Sequence, residues 1–341
     1  MKQQLITATV AIFLSASAAA ADDANKCVQA YTTAADFSSA FEVCRVEAEQ
    51  GDAVAQQFLG FMYAVGSGVA QDYAESVRWY IAAAEQGDAD VQHMLGSMYA
   101  EGTGVAQDYA EAVRWYRAAA EQDYADAQFN LGRMYHQGLG VAQDYAEAVR
   151  WFRAAAEQGD TIAQLNLGWM YEQGQGVEQN YTEAVRWSRA AAEKDVVLAQ
   201  YLLARLYHQG LGVAQHYETA VLWYRAAAEK NFDLAQFRLG TMHYFGLGVT
   251  TDYLEALRWY TLAAEQGNAD AQFFIGYMYA NGKAVVQNYV KAHMWLNLSA
   301  ANGNADASEQ RNRVASVMTP QQIAEAQTRA QRCLDSNYTD C

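Results

Sequence analysis

The stretch that decides the fold is Ala127-Gln128-Phe129-Asn130-Leu131-Gly132-Arg133-Met134-Tyr135, then Gly138-Leu139-Gly140-Val141, then Asp144-Tyr145-Ala146-Glu147-Ala148-Val149-Arg150-Trp151-Phe152. Its pattern returns at a fixed interval. Trp79, Trp115, Trp151, Trp187, Trp223, Trp259 and Trp295 are spaced by 36 residues without exception, and so are Tyr73, Tyr109, Tyr145, Tyr181, Tyr217, Tyr253 and Tyr289. A strict period in this range marks a solenoid rather than a globule. Seven full units run from Asp52 to Gly303, and half a unit precedes them from Asp36 to Gly51.

Each unit reads as two helices. In the second unit the pattern predicts a first helix over Ala89–Ala100, broken by Gly102-Thr103-Gly104. Asp108 then caps a second helix, with Glu111 placed as in a capping box. The same carboxylate pair recurs as Asp72 with Glu75 and Asp144 with Glu147, whereas His216 with Thr219 replaces it in the fifth unit, where the helix start is expected to be weakest. Second helices end at Gln-Gly pairs such as Gln86-Gly87 and Gln158-Gly159, with glycine as the C-terminal cap. The predicted fold class is all-α: a right-handed α/α superhelical solenoid of 36-residue helix-turn-helix repeats.

These residues resemble the Sel-one-like repeat (SLR) family, a branch of the tetratricopeptide-like helical solenoids. The resemblance covers residues 36 to 303, about four fifths of the chain. The chain departs from the family pattern by lacking a proline after Gly-x-Gly-Val, where it has Ala70, Ala106, Ala142, Glu178, Ala214, Thr250 and Val286. Ala284 also replaces the second glycine of the seventh unit. Thr319-Pro320-Gln321-Gln322 opens a last helix that is similar to the family's closing segment.

Lys2, the apolar run Leu5–Leu14 and the small residues up to Ala21 read as an export signal over residues 1–21, with Ala19 and Ala21 at the cleavage pattern and Asp22 opening the mature chain. An apolar core this short does not span a bilayer of ~30 Å. No later run suggests a transmembrane anchor, so the expected location is periplasmic or secreted. Four cysteines lie at the ends, Cys27 with Cys44 and Cys333 with Cys341, and in an oxidising compartment two local disulfides are the simplest of the three connectivities. The expected organisation is a half-repeat and cap over 22–51, seven repeats over 52–303 and capping helices with a tail over 304–341.

Comparing units separates scaffold from surface. Positions are numbered here by the first unit. Those equivalent to Ala55, Leu59, Gly60, Met62 and Tyr63 change little, as do Trp79, Ala83 and Ala84, and they form the packing layer. Positions 54, 58, 61 and 65 change, and their spacing of i, i+4, i+7 and i+11 puts them on one helical face. In helical solenoids the first helices line the concave side, so this stripe is expected to wall a groove. Position 61 reads Phe61, Ser97, Arg133, Trp169, Arg205, Thr241 and Tyr277, and position 58 reads Phe58, Met94, Asn130, Asn166, Leu202, Arg238 and Phe274. With layers about 10 Å apart, Arg133, Trp169 and Arg205 make a row of roughly 20 Å. Arg and Trp are the side chains that most often carry interface energy. The candidate groove residues are therefore Asn130, Arg133, Asn166, Trp169, Leu202, Arg205, Arg238 and Tyr277, facing a peptide or protein loop that brings an acidic group to the arginines. The competing reading is a solvated surface whose arginines pair with carboxylates such as Glu101 and Glu172.

Twenty-three Lys and Arg against 39 Asp and Glu give a formal net charge of −16, which repels phosphate backbones and argues against nucleic acid as a partner. The six histidines are scattered, with His136 and His208 two layers apart, and His243 stands at a tyrosine position as an expected hydrogen-bonded core imidazole. No metal-ligand spacing, nucleophile turn or dinucleotide loop occurs, so neither a metal nor a cofactor is expected. The reading is a non-enzymatic exported scaffold or adaptor that binds another protein or peptide segment in the bacterial envelope. Family resemblance adds roles in envelope assembly, regulation of cell-wall enzymes or sensors, and host contact. The alternative is a cell-wall-acting enzyme or ligand binder, β-lactamase-like or peptidoglycan-associated. That branch of similar repeat proteins carries a disulfide in each repeat, and this chain has none in its seven units.

Stability in such an array is shared between neighbours. Reduction of the terminal cysteine pairs is therefore expected to fray the ends first, seen as faster amide exchange there, whereas uniform loss of protection across all units contradicts this.

Overall fold

The computed structural model describes residues 26–34, 36–338 and 340–341. The expected export segment over residues 1–21 lies outside them. Among the described residues the chain forms 18 helices and no strand, in consecutive helix-turn-helix pairs that build an α/α solenoid. No described helix is long and apolar enough to cross a membrane.

The second repeat shows how sequence sets each element. Its first helix, Ala89–Glu101, starts at Asp88, whose carboxylate accepts from Val91 N–H, and stops at Gly102 with φ 73°. The loop then presses against the preceding repeat: a Cβ added at Gly104 would lie 2.3 Å from the Tyr73 carbonyl oxygen. Glycine is required there both by this approach and by φ 74°. The second helix, Tyr109–Ala120, is capped by Asp108, which accepts from the N–H groups of Ala110 and Glu111. The expected reciprocal bond from Glu111 is not made, because Glu111 instead accepts from Arg114 at 3.0 Å. A reciprocal capping box forms at Thr319 and Gln322, at the start of helix Pro320–Asp335. At the fifth repeat the His216 ring Nδ1 takes the cap role, accepting from Thr219 N–H at 3.2 Å.

Packing follows the repeated positions. A Cβ built at Gly96 would lie 2.7 Å from the Tyr116 ring, so glycine lets the two helices of the repeat close on each other. The second helices of the first four repeats and of the sixth also carry a surface unit, as where Arg114 pairs with Glu111 and sits 4.5 Å over the Trp115 ring. A buried glutamine opens each first helix: Gln92 donates to the Ala84 carbonyl of the previous repeat at 3.0 Å and accepts from Gln122 of its own repeat at 2.8 Å.

The chain divides into two compact units, Met1–Ala163 with Gln175–Val177, and Gln164–Gly174 with Glu178–Cys341. The first has a core that includes Leu59, Met62 and Leu95, continued by Leu131 and Met134. The second is filled by residues such as Leu239 and Met242, then Ile275 and Met278. Burying one such side chain contributes about 1.5–3 kcal/mol. Cys27 is bonded to Cys44, and Cys333 to Cys341.

Ala284 holds the left-handed conformation, φ 62°, where six repeats have glycine. Ala284→Gly should stabilise the chain by about 0.5–1 kcal/mol, and Gly104→Ala should destabilise it by about 2 kcal/mol or more, since a new Cβ meets backbone. Urea unfolding of both variants measures this, and an unstable Ala284→Gly protein contradicts it.

Candidate functional site

The outward face of successive first helices carries side chains that meet across repeats with a fixed offset. Position 58 of one repeat touches position 57 of the repeat before: Asn130 Nδ2 lies 3.0 Å from His93 Nε2, and the Phe274 ring lies 5.9 Å from Phe237. Position 61 touches position 64 of the repeat before, where Arg205 donates to the Glu172 carboxylate.

In the first unit, the His93 ring is held between Tyr116 and Tyr124 at 5.6 and 5.2 Å. Burial lowers its pKa, against the opposing charges of Asp126 and Asp90. Ser97 Oγ and the Tyr116 hydroxyl share a hydrogen bond of 3.1 Å. Burial pushes the Tyr116 phenol up, and the Ser97 hydrogen bond and then the charge of Arg133, an exposed residue, act the other way. Asn130 is half-buried.

In the second unit, Trp169 is 37% exposed and Asn166 half-buried. Leu202 is buried at 8% exposure and serves as core beneath the face. Glu172, also only 8% exposed, holds Arg205 in an ion pair, so the Arg205 charge is answered from within the protein. Arg238 is exposed, with its guanidinium 5.3 Å from the Phe237 ring centroid, and Tyr277 is half-buried. Burial, and then Tyr201, push the Tyr224 phenol up, and the charges of Arg238 and Arg205 oppose that push. Arg133 belongs to the first unit and Trp169 and Arg205 to the second.

The repeat pattern itself matches a known family along most of the chain. The Sel1 repeat matches seven times in succession, over residues 53–88, 89–124, 125–160, 161–196, 197–232, 233–268 and 269–304. The chain belongs to the Sel1 repeat family. Among solved structures it is similar to c5321, described as a protective antigen present in uropathogenic Escherichia coli strains with an SLR fold. Identity is 36% and the TM-score 0.77, covering 92% of this chain and 71% of that one. It is also similar to a Sel1 repeat protein from Oxalobacter formigenes, at 36% identity and a TM-score of 0.62, over 81% of this chain and 80% of that one. A comparison with curated proteins gave no match.

Within the Sel1 repeats, position 64 lies beneath this face, buried or half-buried, and was missed in the sequence. It reads Ala64, Ala100, His136, Glu172, His208, Tyr244 and Ala280. Phe245, 56% exposed, was missed as well, although position 65 signals it: Val65, Glu101, Gln137, Gln173, Gln209 and Asn281 surround one aromatic residue. Among the described residues no group of three His, Cys, Asp or Glu side chains could hold a metal ion.

His243 corrects an expectation. It is a core residue, 8% exposed, but neither ring nitrogen finds a hydrogen-bond partner among the described residues. Equivalent tyrosines explain why: Arg117 donates to the Tyr135 hydroxyl at 2.7 Å, and Arg189 reaches Tyr207 in the same way. An imidazole is too short to meet the corresponding Arg225.

Burial lowers the pKa of His93, His208, His243 and His293 below the ordinary 6.5. The unfolded chain therefore takes up these protons first as pH falls, so stability is full above pH 6.5 and declines on acidification below it. His243→Tyr removes one of the four groups and supplies an acceptor for Arg225. The variant should melt higher at pH 7.5, by about 1 kcal/mol of stability, and lose less between pH 7 and 5. An unchanged acid slope would contradict the role given to His243.

Proposed function

We propose that this Sel1 repeat protein is an exported, non-enzymatic scaffold that holds a protein or peptide segment against the face of its first helices. The observation that carries the reading is the split between columns. Positions 59, 60 and 62 are nearly uniform and buried, whereas positions 58, 61 and 65 vary and present Arg133, Trp169, Arg238 and Phe245 to solvent. Packing alone demands uniformity at the first set and is indifferent to the second, so unpaired cations and large aromatics there point to a recognition surface.

The two bonded cysteine pairs support an oxidising compartment, periplasmic or extracellular. The antigen description of the relative at 36% identity supports the same placement, because an antigen that protects must be reachable by antibodies. The described residues of 22–51 and of 304–341 serve as end caps, closing the apolar faces of the first and last repeats. Their helices Phe37–Glu49 and Pro320–Asp335 each carry one disulfide cysteine buried in the neighbouring core.

A photo-crosslinking residue placed at Trp169, Arg133 or Tyr277 in envelope-expressing cells should form a discrete protein adduct. The same residue at Leu222 or Arg114, on second helices, should not. Adducts only from the second-helix positions would move the interface and overturn the proposal.

A further inference from the structure

The sixth and seventh repeats depart together from the other five on the first-helix face. Position 58 becomes Arg238 in the sixth repeat and is Phe274 in the seventh, a residue type shared only with Phe58 of the first, while position 64 becomes Tyr244 and position 65 becomes Phe245. In the seventh repeat's loop, position 67 becomes Lys283, where the earlier repeats have Ser67, Thr103, Leu139, Gln175, Leu211 and Leu247. These substitutions converge in space. The Phe274 ring stacks on Tyr260 at 5.1 Å and meets Phe237 at 5.9 Å, Tyr244 at 5.7 Å and Phe245 at 6.4 Å. Phe237, Tyr244 and Tyr260 are buried and form a floor, while Phe274 is half-buried and Phe245 stands 56% exposed above it.

A cation brackets this floor at each end. Arg238 lies 5.3 Å from the Phe237 centroid, and the Lys283 ammonium lies 5.0 Å from Tyr244 and 4.9 Å from Tyr253. Neither forms an ion pair among the described residues, whereas Arg205 is answered by Glu172 and Arg258 by Glu255. Positions 57, 58, 61, 64 and 65 of these two repeats contain no carboxylate, and the one at position 54, Asp270, accepts from Asn304 at 2.7 Å, in a chain of net charge −16. The local charge is therefore opposite to that of the whole molecule and is not spent internally. Two point cations beside a strongly acidic body suit one or two carboxylates, and the body repels a polyanion. An exposed phenylalanine over packed rings suits an apolar or aromatic side chain in offset contact.

We propose that repeats six and seven form a subsite for a short peptide segment with an apolar or aromatic centre and a carboxylate side chain at one or both ends. This rests on the reading of the first-helix face as the recognition surface, and it names what that face selects. The path from Arg238 across Phe237, Phe274 and Tyr244 to Lys283 is at most about 22 Å, so centre and carboxylates fall within about six residues of extended chain.

The test is selection of a random displayed heptapeptide library on the immobilised chain, in parallel with Arg238→Ala/Lys283→Ala and Arg238→Glu/Lys283→Glu variants. Thermal melting of each checks that it is folded. The native chain should enrich peptides with Asp or Glu beside Phe, Tyr, Trp or Leu. Binding of the best of these, followed by fluorescence anisotropy, should weaken at least about tenfold in the double-alanine variant. The double-glutamate variant should instead select Lys or Arg beside the same apolar residues, a reversal that a merely structural role would not produce. Peptides retained without regard to charge, or heparin retained as strongly as the acidic peptides, would overturn the subsite while leaving the peptide-binding surface in place. No peptide retained by the native chain would sink both readings.

Discussion

Within each of the two units, repeats are fastened to the ones before them by a buried side-chain amide. Gln128 donates to the Ala120 carbonyl at 3.2 Å and accepts from Gln158 at 2.8 Å, and Gln236 does the same with Ala228 and Gln266. Three helices are tied by one group: the end of the previous second helix, the start of a first helix, and the end of its partner. A buried amide left unpaired costs about 1–3 kcal/mol, so the layers cannot slide without losing several bonds at once. The fifth repeat shows the constraint by relaxing it. Lys230 replaces the donating glutamine and turns away to Asp195 at 2.6 Å, leaving the Gln200 Oε1 atom buried without a donor.

Fixed layers are what make the first-helix face readable. Because register is held, position 58 finds position 57 of the previous repeat in both units, at Asn130 with His93 and at Phe274 with Phe237, and position 61 finds position 64 where Arg205 meets Glu172. The period, the helix pairs, the glycine stops and the packing layer could all be seen in the sequence, since each leaves a column that repeats. The face as a set of variable columns could be seen too. Which members meet could not, because the contacts join different columns in different repeats: Arg205 at position 61 looks in isolation like Arg133, and only Glu172, offset by 33 residues, tells them apart. Phe245 and Lys283 escaped for a related reason. Each is a single departure in an otherwise unremarkable column, and their convergence with Phe274 appears only in three dimensions. His243 was placed in the core by its column, but a column does not report whether a shorter ring still reaches its donor.

Local helix signals were traded against this face. The first helices of the third and sixth repeats start at Tyr124 and Phe232, which offer no side-chain cap bond, where other repeats use Asp52 or Asp88. Losing such a cap costs about 1 kcal/mol. In exchange, Tyr124 packs on His93 at 5.2 Å and Phe232 on Tyr201 at 5.3 Å, adding aromatic surface between repeats. Capping strength and surface chemistry therefore compete for the same residue, and different repeats resolve that competition differently.

The reach of the glutamine bonds has a mechanical meaning. Each tie between layers joins a first-helix glutamine to the carbonyl eight residues before it, at the end of the previous second helix, and the amide that donates to that glutamine lies thirty residues on in the same repeat, so no bond of this kind is shared by repeats that are not neighbours. A pull applied along the chain would meet the same small latch again and again, each release freeing one repeat, 36 residues or about 120 Å of contour. The resulting sawtooth would have low peaks where lysine stands in place of the donating glutamine, as Lys230 does beside Gln200. The bonded cysteines at the two ends would hold their loops closed throughout, so that extension is absorbed by the repeats and returned when the load is removed.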